Sequence, residues 1–87
     1  MDDSKASTAW KEGRVVRRTL PLGDDAEIVQ TLECFGRYWE ITSQIIEEGD
    51  TSHVLMDRSK GVREAKQIAD KHVEQLCKTW AAEGREL

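Results

Sequence analysis

From Ser59 to Gly84 the apolar residues return with a helical period: at about 100° per residue Val62, Ala65, Ala69, Val73, Leu76 and Trp80 share one stripe, flanked by Ile68 and His72 on one side and Cys77 on the other. The opposite face carries Glu64, Gln67, Lys71, Glu74, Gln75 and Lys78, a set that prefers water, with Glu74 and Lys78 in the favourable acid-before-base spacing. Ser59 is one candidate N-cap; Gly61 followed by Glu64 is another, and Gly84 can take the left-handed C-terminal position. A lone amphipathic helix cannot bury its own stripe, so the residues before it must present a complementary apolar face.

Upstream the period changes to two. Glycines at 13, 23, 36, 49 and 61 punctuate short β-rich runs at intervals that suit an antiparallel meander. Arg14 to Leu22 has Val16, Leu20 and Leu22 on one parity and Pro21 near its end, which favours an edge position. Ala26 to Phe35 alternates Ala26, Ile28, Leu32 and Cys34 against Glu27, Val29, Thr31, Glu33 and Phe35. Arg37 to Glu47 sets Trp39, Ile41 and Ile45 against Tyr38, Glu40, Thr42, Gln44 and Ile46, and Ser52 to Asp57 adds a short fourth run with Val54 and Met56 on one parity, His53 and Leu55 on the other. The expected fold is α+β: a three- to four-stranded antiparallel meander sheet packed on one face by a single long C-terminal helix, β-β-β(-β)-α. The helix should meet Val16, Leu20, Ile28, Leu32, Trp39, Ile41, Ile45, Val54 and Met56. Residues 1–12 read as a flexible N-terminal tail, in which Trp10 either packs on the domain edge, the favoured reading, or anchors a partner, and 13–87 as a single domain.

Length and charge sharpen this picture. A chain of 87 residues has a thin stability margin, burying only about 60–65% of its unfolded surface, and a homodimer would widen it. The net charge of −4 conceals an asymmetry: residues 1–22 and 58–87 each sum to +2, whereas 23–57 hold nine acids against Arg37 alone, a net of −8. No apolar run approaches a membrane span and no basic-then-apolar leader opens the chain, so a cytoplasmic location is the expectation. Cys34 and Cys77 fall on faces read as buried and are expected as reduced core fillers.

Signatures of chemistry are missing. Two His and two Cys show no C-x-x-C, H-x-x-x-H or helical Glu-x-x-His, so no metal and no cofactor is expected. His53 and Asp57 share a parity, but four strand residues separate them by about 13 Å, too far for a direct acid–base pair. No nucleophile elbow, phosphate loop or dinucleotide glycine pattern occurs, and the chain reads as non-enzymatic, without catalytic residues.

Two basic clusters stand apart, Lys11, Arg14, Arg17 and Arg18 at the first strand and Arg58, Lys60 and Arg63 where the helix begins. Trp39 in a strand, Ser59 before the helix and the Glu64-Ala65 step resemble, in order of elements, the amino-terminal arm-binding domains of phage integrases. That resemblance implies a sheet that faces DNA, yet here the corresponding strands carry nearly all the acids. The first expectation is therefore a small interaction protein, an adaptor or inhibitor acting as a homodimer, whose acidic and partly apolar open sheet face binds a protein partner with a basic surface through Glu27, Glu33, Phe35, Tyr38, Glu40 and Ile46. The alternative is a nucleic-acid-binding module using Arg14, Arg17, Arg18, Lys60 and Arg63.

Overall fold

The computed structural model describes residues 9–11 and 13–84. Strands β1 (Val15–Leu22), β2 (Ala26–Cys34), β3 (Trp39–Glu47) and β4 (Asp50–Ser59) form an antiparallel sheet in the order β1-β2-β3-β4, and α1 (Val62–Ala82) packs on one face. The expected β-β-β-β-α fold is thus the one observed, with the fourth strand longer than the run Ser52 to Asp57.

Turn chemistry sets the strand pairing. Glu47 pairs with Asp50 across a two-residue turn in which Glu48 (φ 53°) and Gly49 (φ 86°) both adopt left-handed backbone, the geometry whose twist matches that of the flanking strands. Immediately beyond, the register slips by one: Ile46 pairs with Thr51 but Ile45 with His53, leaving Ser52 as a bulge. This one residue corrects the expected core. Without it Ser43 would face Val54 and Ile41 would face Met56, placing both apolar residues under the helix. With it His53, Leu55, Asp57 and Ser59 turn toward the helix, while Val54 and Met56 point to solvent at 48% and 58% exposure.

The helix-covered face is built of cross-strand rows. Val16, Leu32 and Ile41 form one apolar row and join Ala65 and Ala69; Ile28 and Ile45 form another, which joins Leu22, Leu76 and Trp80. Leu20 and Leu55 pack at the margin of the second cluster and Trp39 at the margin of the first. Between the two runs a polar row, Arg18, Gln30 and Ser43, with Gln30 and Ser43 fully buried.

Such a row survives in a core only if its groups are paired, and they are. Gln30 Nε2 donates to Ser43 Oγ at 2.9 Å and to the Ala69 carbonyl at 2.7 Å, and Arg18 Nε donates to Gln30 Oε1 at 2.6 Å. The alanines at 65 and 69, both fully buried, keep the helix backbone close enough for that carbonyl to be reached. His72, the remaining buried polar residue on the helix, lies 2.7 Å from Ser43 Oγ through Nδ1 and 2.7 Å from Asp57 Oδ2 through Nε2.

The helix begins at Gly61, the second of the expected caps. Ser59 Oγ donates to the Gly61 carbonyl at 2.7 Å rather than capping a helical N–H, and Glu64 reaches back to the Lys60 N–H at 3.3 Å. Gly84 closes the other end at φ 81°, its N–H donating to the Ala81 carbonyl.

Of the tail expected over residues 1–12, residues 1–8 and 12 lie outside the described residues. Lys11 pairs with the outer edge of β1 at Arg17, and Trp10 packs against the first core cluster with the Arg18 guanidinium 4.3 Å from its ring centroid. The expected edge packing of Trp10 therefore holds. Cys34, read as buried, is exposed, because it ends β2 beyond the last apolar row; Cys77 is half-buried, and both thiols are free.

Candidate functional site

The face away from the helix is uncovered by any described element, and its rows follow from the pairing register. They run Val15, Glu33, Glu40, Arg58; then Arg17, Thr31, Thr42, Met56; then Thr19, Val29, Gln44, Val54; and finally Pro21, Glu27, Ile46, Thr51. The two middle rows carry a single charge, Arg17 at the edge. The outer rows carry the carboxylates.

The six residues expected to bind a partner thus fall into two groups. Glu33 and Glu40 face each other across the two central strands, and beside them Phe35 and Tyr38 stack in the β2–β3 turn with ring centroids 5.6 Å apart. Arg58 completes this end, its guanidinium 4.6 Å from the Tyr38 ring centroid. Glu27 and Ile46 pair at the other end, about 20 Å away at the usual strand rise, where they line an open depression of about 310 Å³ together with Asp24, Asp25 and Glu48. A second open depression, about 520 Å³, lies between Glu40, Met56, Asp57 and Arg58. The neutral band of Val29, Thr31, Thr42, Gln44, Val54 and Met56 joins the two groups, and alternation alone did not place Val54 and Met56 in it.

Charge is therefore distributed differently from the plain expectation of an acidic face. Glu27, Glu33 and Glu40 lie on the open face, whereas Asp24, Asp25, Glu48 and Asp50 collect at the end holding the β1–β2 and β3–β4 turns, and Asp57 faces the helix side. The opposite end of the sheet, where α1 starts, carries Arg14, Arg37, Lys60 and Arg63. The helix dipole runs in the same sense, its positive terminus at the basic end.

The residues of the nucleic-acid alternative are divided by this geometry. Arg14, Lys60 and Arg63 lie at the helix-start end, Arg17 lies on the open face, and Arg18 lies on the helix side. There Arg18 stacks on Trp10 and pairs with Asp70 at 2.8 Å.

The chain of contacts through Ser43, His72 and Asp57 superficially matches a Ser-His-Asp relay, and sequence spacing gave no sign of it. It differs in two respects. The ring nitrogen nearest the serine is Nδ1 rather than Nε2, and Ser43 is fully buried with its oxygen already accepting from Gln30. No substrate carbonyl can approach that hydroxyl. The chemistry of the chain fits a satisfied core network, polarised by Arg18, which can only donate, and Asp57, whose carboxylate only accepts. His53, the other histidine, bonds Ser52 Oγ at 3.0 Å and Glu83 Oε2 at 2.9 Å, so each histidine finds a carboxylate across elements rather than along β4. Among the described residues, no group of three or more His, Cys, Asp or Glu is arranged to hold a metal ion. No described helix is long and apolar enough to cross a membrane.

Comparison with family models, with characterised proteins and with solved structures gives no match to this chain. The functional reading therefore rests on the residues themselves.

Proposed function

We propose that the domain is a non-enzymatic docking module whose open sheet face binds a protein partner with a basic surface, in the manner of an adaptor or inhibitor. The observation that carries this reading is the pairing of Glu33 with Glu40. Two carboxylates directly opposite on neighbouring strands repel, and neither forms an ion pair with a described residue, because Arg58, the partner of Glu40 on its other side, places its guanidinium over the Tyr38 ring. A lysine or arginine brought against them relieves that repulsion. The neutral band beside them supplies apolar and hydrogen-bonding area, with Arg17 confined to its β1 edge, and Phe35 and Tyr38 offer aromatic anchors at its margin.

The test is capture from the native cell extract by tagged protein, compared with the E33K/E40K double variant after circular dichroism has shown both to be folded. Loss of the captured species in the variant, together with salt sensitivity in the wild type, supports the reading. Equal capture by both proteins contradicts it. Retention of labelled nucleic acid in a low-salt mobility shift, abolished by R14A/K60A/R63A, would favour the alternative.

A further inference from the structure

The two edges of the sheet are treated differently. The outer edge of β1 holds Pro21 and is met at Arg17 by Lys11, whose backbone N–H and carbonyl bond those of Arg17 at 2.8 and 3.2 Å. Proline and a local cover are standard protections of an exposed edge. β4, the longest strand at 10 residues, has neither: it contains no proline and no lysine, and no described residue pairs with its outer side. Beside that edge stand Val54 and Met56, two of the most exposed large apolar residues of the domain.

We infer that two copies of the chain pair along β4, antiparallel about a two-fold axis through Leu55, to form one continuous sheet. The side chains of β4 are self-complementary in this register. Val54 lies opposite Met56 of the second copy, His53 opposite its Asp57, and Leu55 opposite its own equivalent, so apolar meets apolar and base meets acid. Asp57 is 57% exposed and uses only Oδ2 on His72, whereas both ring nitrogens of His53 are already bonded within its own chain, to Ser52 and Glu83, so the apolar contacts of Val54, Leu55 and Met56 carry the register and His53 and Asp57 are merely compatible with it. Shifted registers are worse. An axis through Met56 sets Leu55 against Asp57 and Val54 against Arg58, and an axis through Val54 sets Ser52 against Met56 and His53 against Leu55. The bulge at Ser52 ends the regular pairing on one side and limits it to a short central stretch.

The helices permit this arrangement. The principal contact of α1 is with β3, so its counterpart over β3 of the second copy lies three strand spacings away, about 14 Å, beyond the 8–10 Å at which helices pack. A two-fold axis perpendicular to the sheet keeps both helices on one side and both open faces on the other. The neutral band of one copy then continues into that of the next through Val54 and Met56. The pairing stands independently of the docking reading, but it doubles the face which that reading uses.

Sedimentation equilibrium at high micromolar concentration tests it, with folding of each variant checked by circular dichroism. The wild type should show twice 9.9 kDa. V54K/M56K, which sets amine against amine, should sediment as a monomer, whereas V54E/M56K, which sets each introduced carboxylate against an introduced amine of the second copy, should return to the dimer. A monomeric wild type, a dimeric V54K/M56K, or a V54E/M56K as monomeric as V54K/M56K would each overturn the inference. E33K/E40K changes no residue of β4 and meets that strand only at Arg58, beyond the central contact of Val54 with Met56, so it should keep the dimer mass, and loss of docking and loss of pairing are read separately.

Discussion

Gln30 donates to Ser43 across the two central strands at 2.9 Å, both side chains fully buried. This bond lies inside an uninterrupted chain from Arg18 through Gln30, Ser43 and His72 to Asp57, and the donor-only and acceptor-only ends dictate its direction. Ser43→Ala leaves a hydrogen of Gln30 and the Nδ1 of His72 unpaired in the core. The expected loss is about 1–3 kcal/mol in urea unfolding, against about 0.5 kcal/mol or less for Thr42→Ala on the open face. Equal midpoints for the two variants would show that the chain contributes nothing to stability.

The same directionality assigns the histidine. Asp57 accepts from His72 Nε2, so in the neutral ring Nδ1 takes the Ser43 proton as acceptor. Long-range nitrogen–proton spectra of the neutral ring should show the Nε2–H tautomer. A dominant Nδ1–H form would reverse the chain.

The bulge at Ser52 makes a claim about which side of β4 is wet. Met56→Gln should change stability by about 0.5 kcal/mol or less, whereas Leu55→Gln, which removes a side chain packed on the second core cluster, should cost about 1–3 kcal/mol when measured at low micromolar concentration. The reverse order would restore the unbulged register.

Trp10 ties the start of the described chain to the first core cluster and to Arg18. Trp10→Ala should cost about 1–3 kcal/mol, less than a fully buried tryptophan, by chemical unfolding followed through far-ultraviolet circular dichroism. An unchanged midpoint would mean that the indole is only resting on the surface.

The order of elements was legible because three independent signals agreed: alternation in Ala26 to Phe35, glycines at the turns, and the helical stripe from Val62 to Trp80. The faces of β2 and β3 followed from parity alone. β4 did not, because a single bulged residue inverts every side chain after it and leaves no mark on the hydrophobic pattern. The buried polar row was visible only in part. Parity places Gln30 and Ser43 beneath the helix, but that they are satisfied there depends on Ala69, His72 and Arg18, which lie on other elements. The pairing of His72 with Asp57 likewise joins residues that sequence spacing keeps separate. For the candidate face, Glu27, Glu33, Glu40 and Ile46 were correctly assigned to one side, whereas its neutral centre depends on the position of Val54 and Met56.

The central claim is that this open face, rather than the solvent side of the helix, is the surface that binds. Amide shift mapping on labelled protein titrated with a lysine-rich peptide tests it most directly. The account predicts perturbations at Thr31, Glu33, Glu40, Thr42 and Met56 that disappear in E33K/E40K; shifts confined to Glu64, Gln67, Glu74 and Gln75 on α1, or shifts that persist unchanged in the variant, would contradict it.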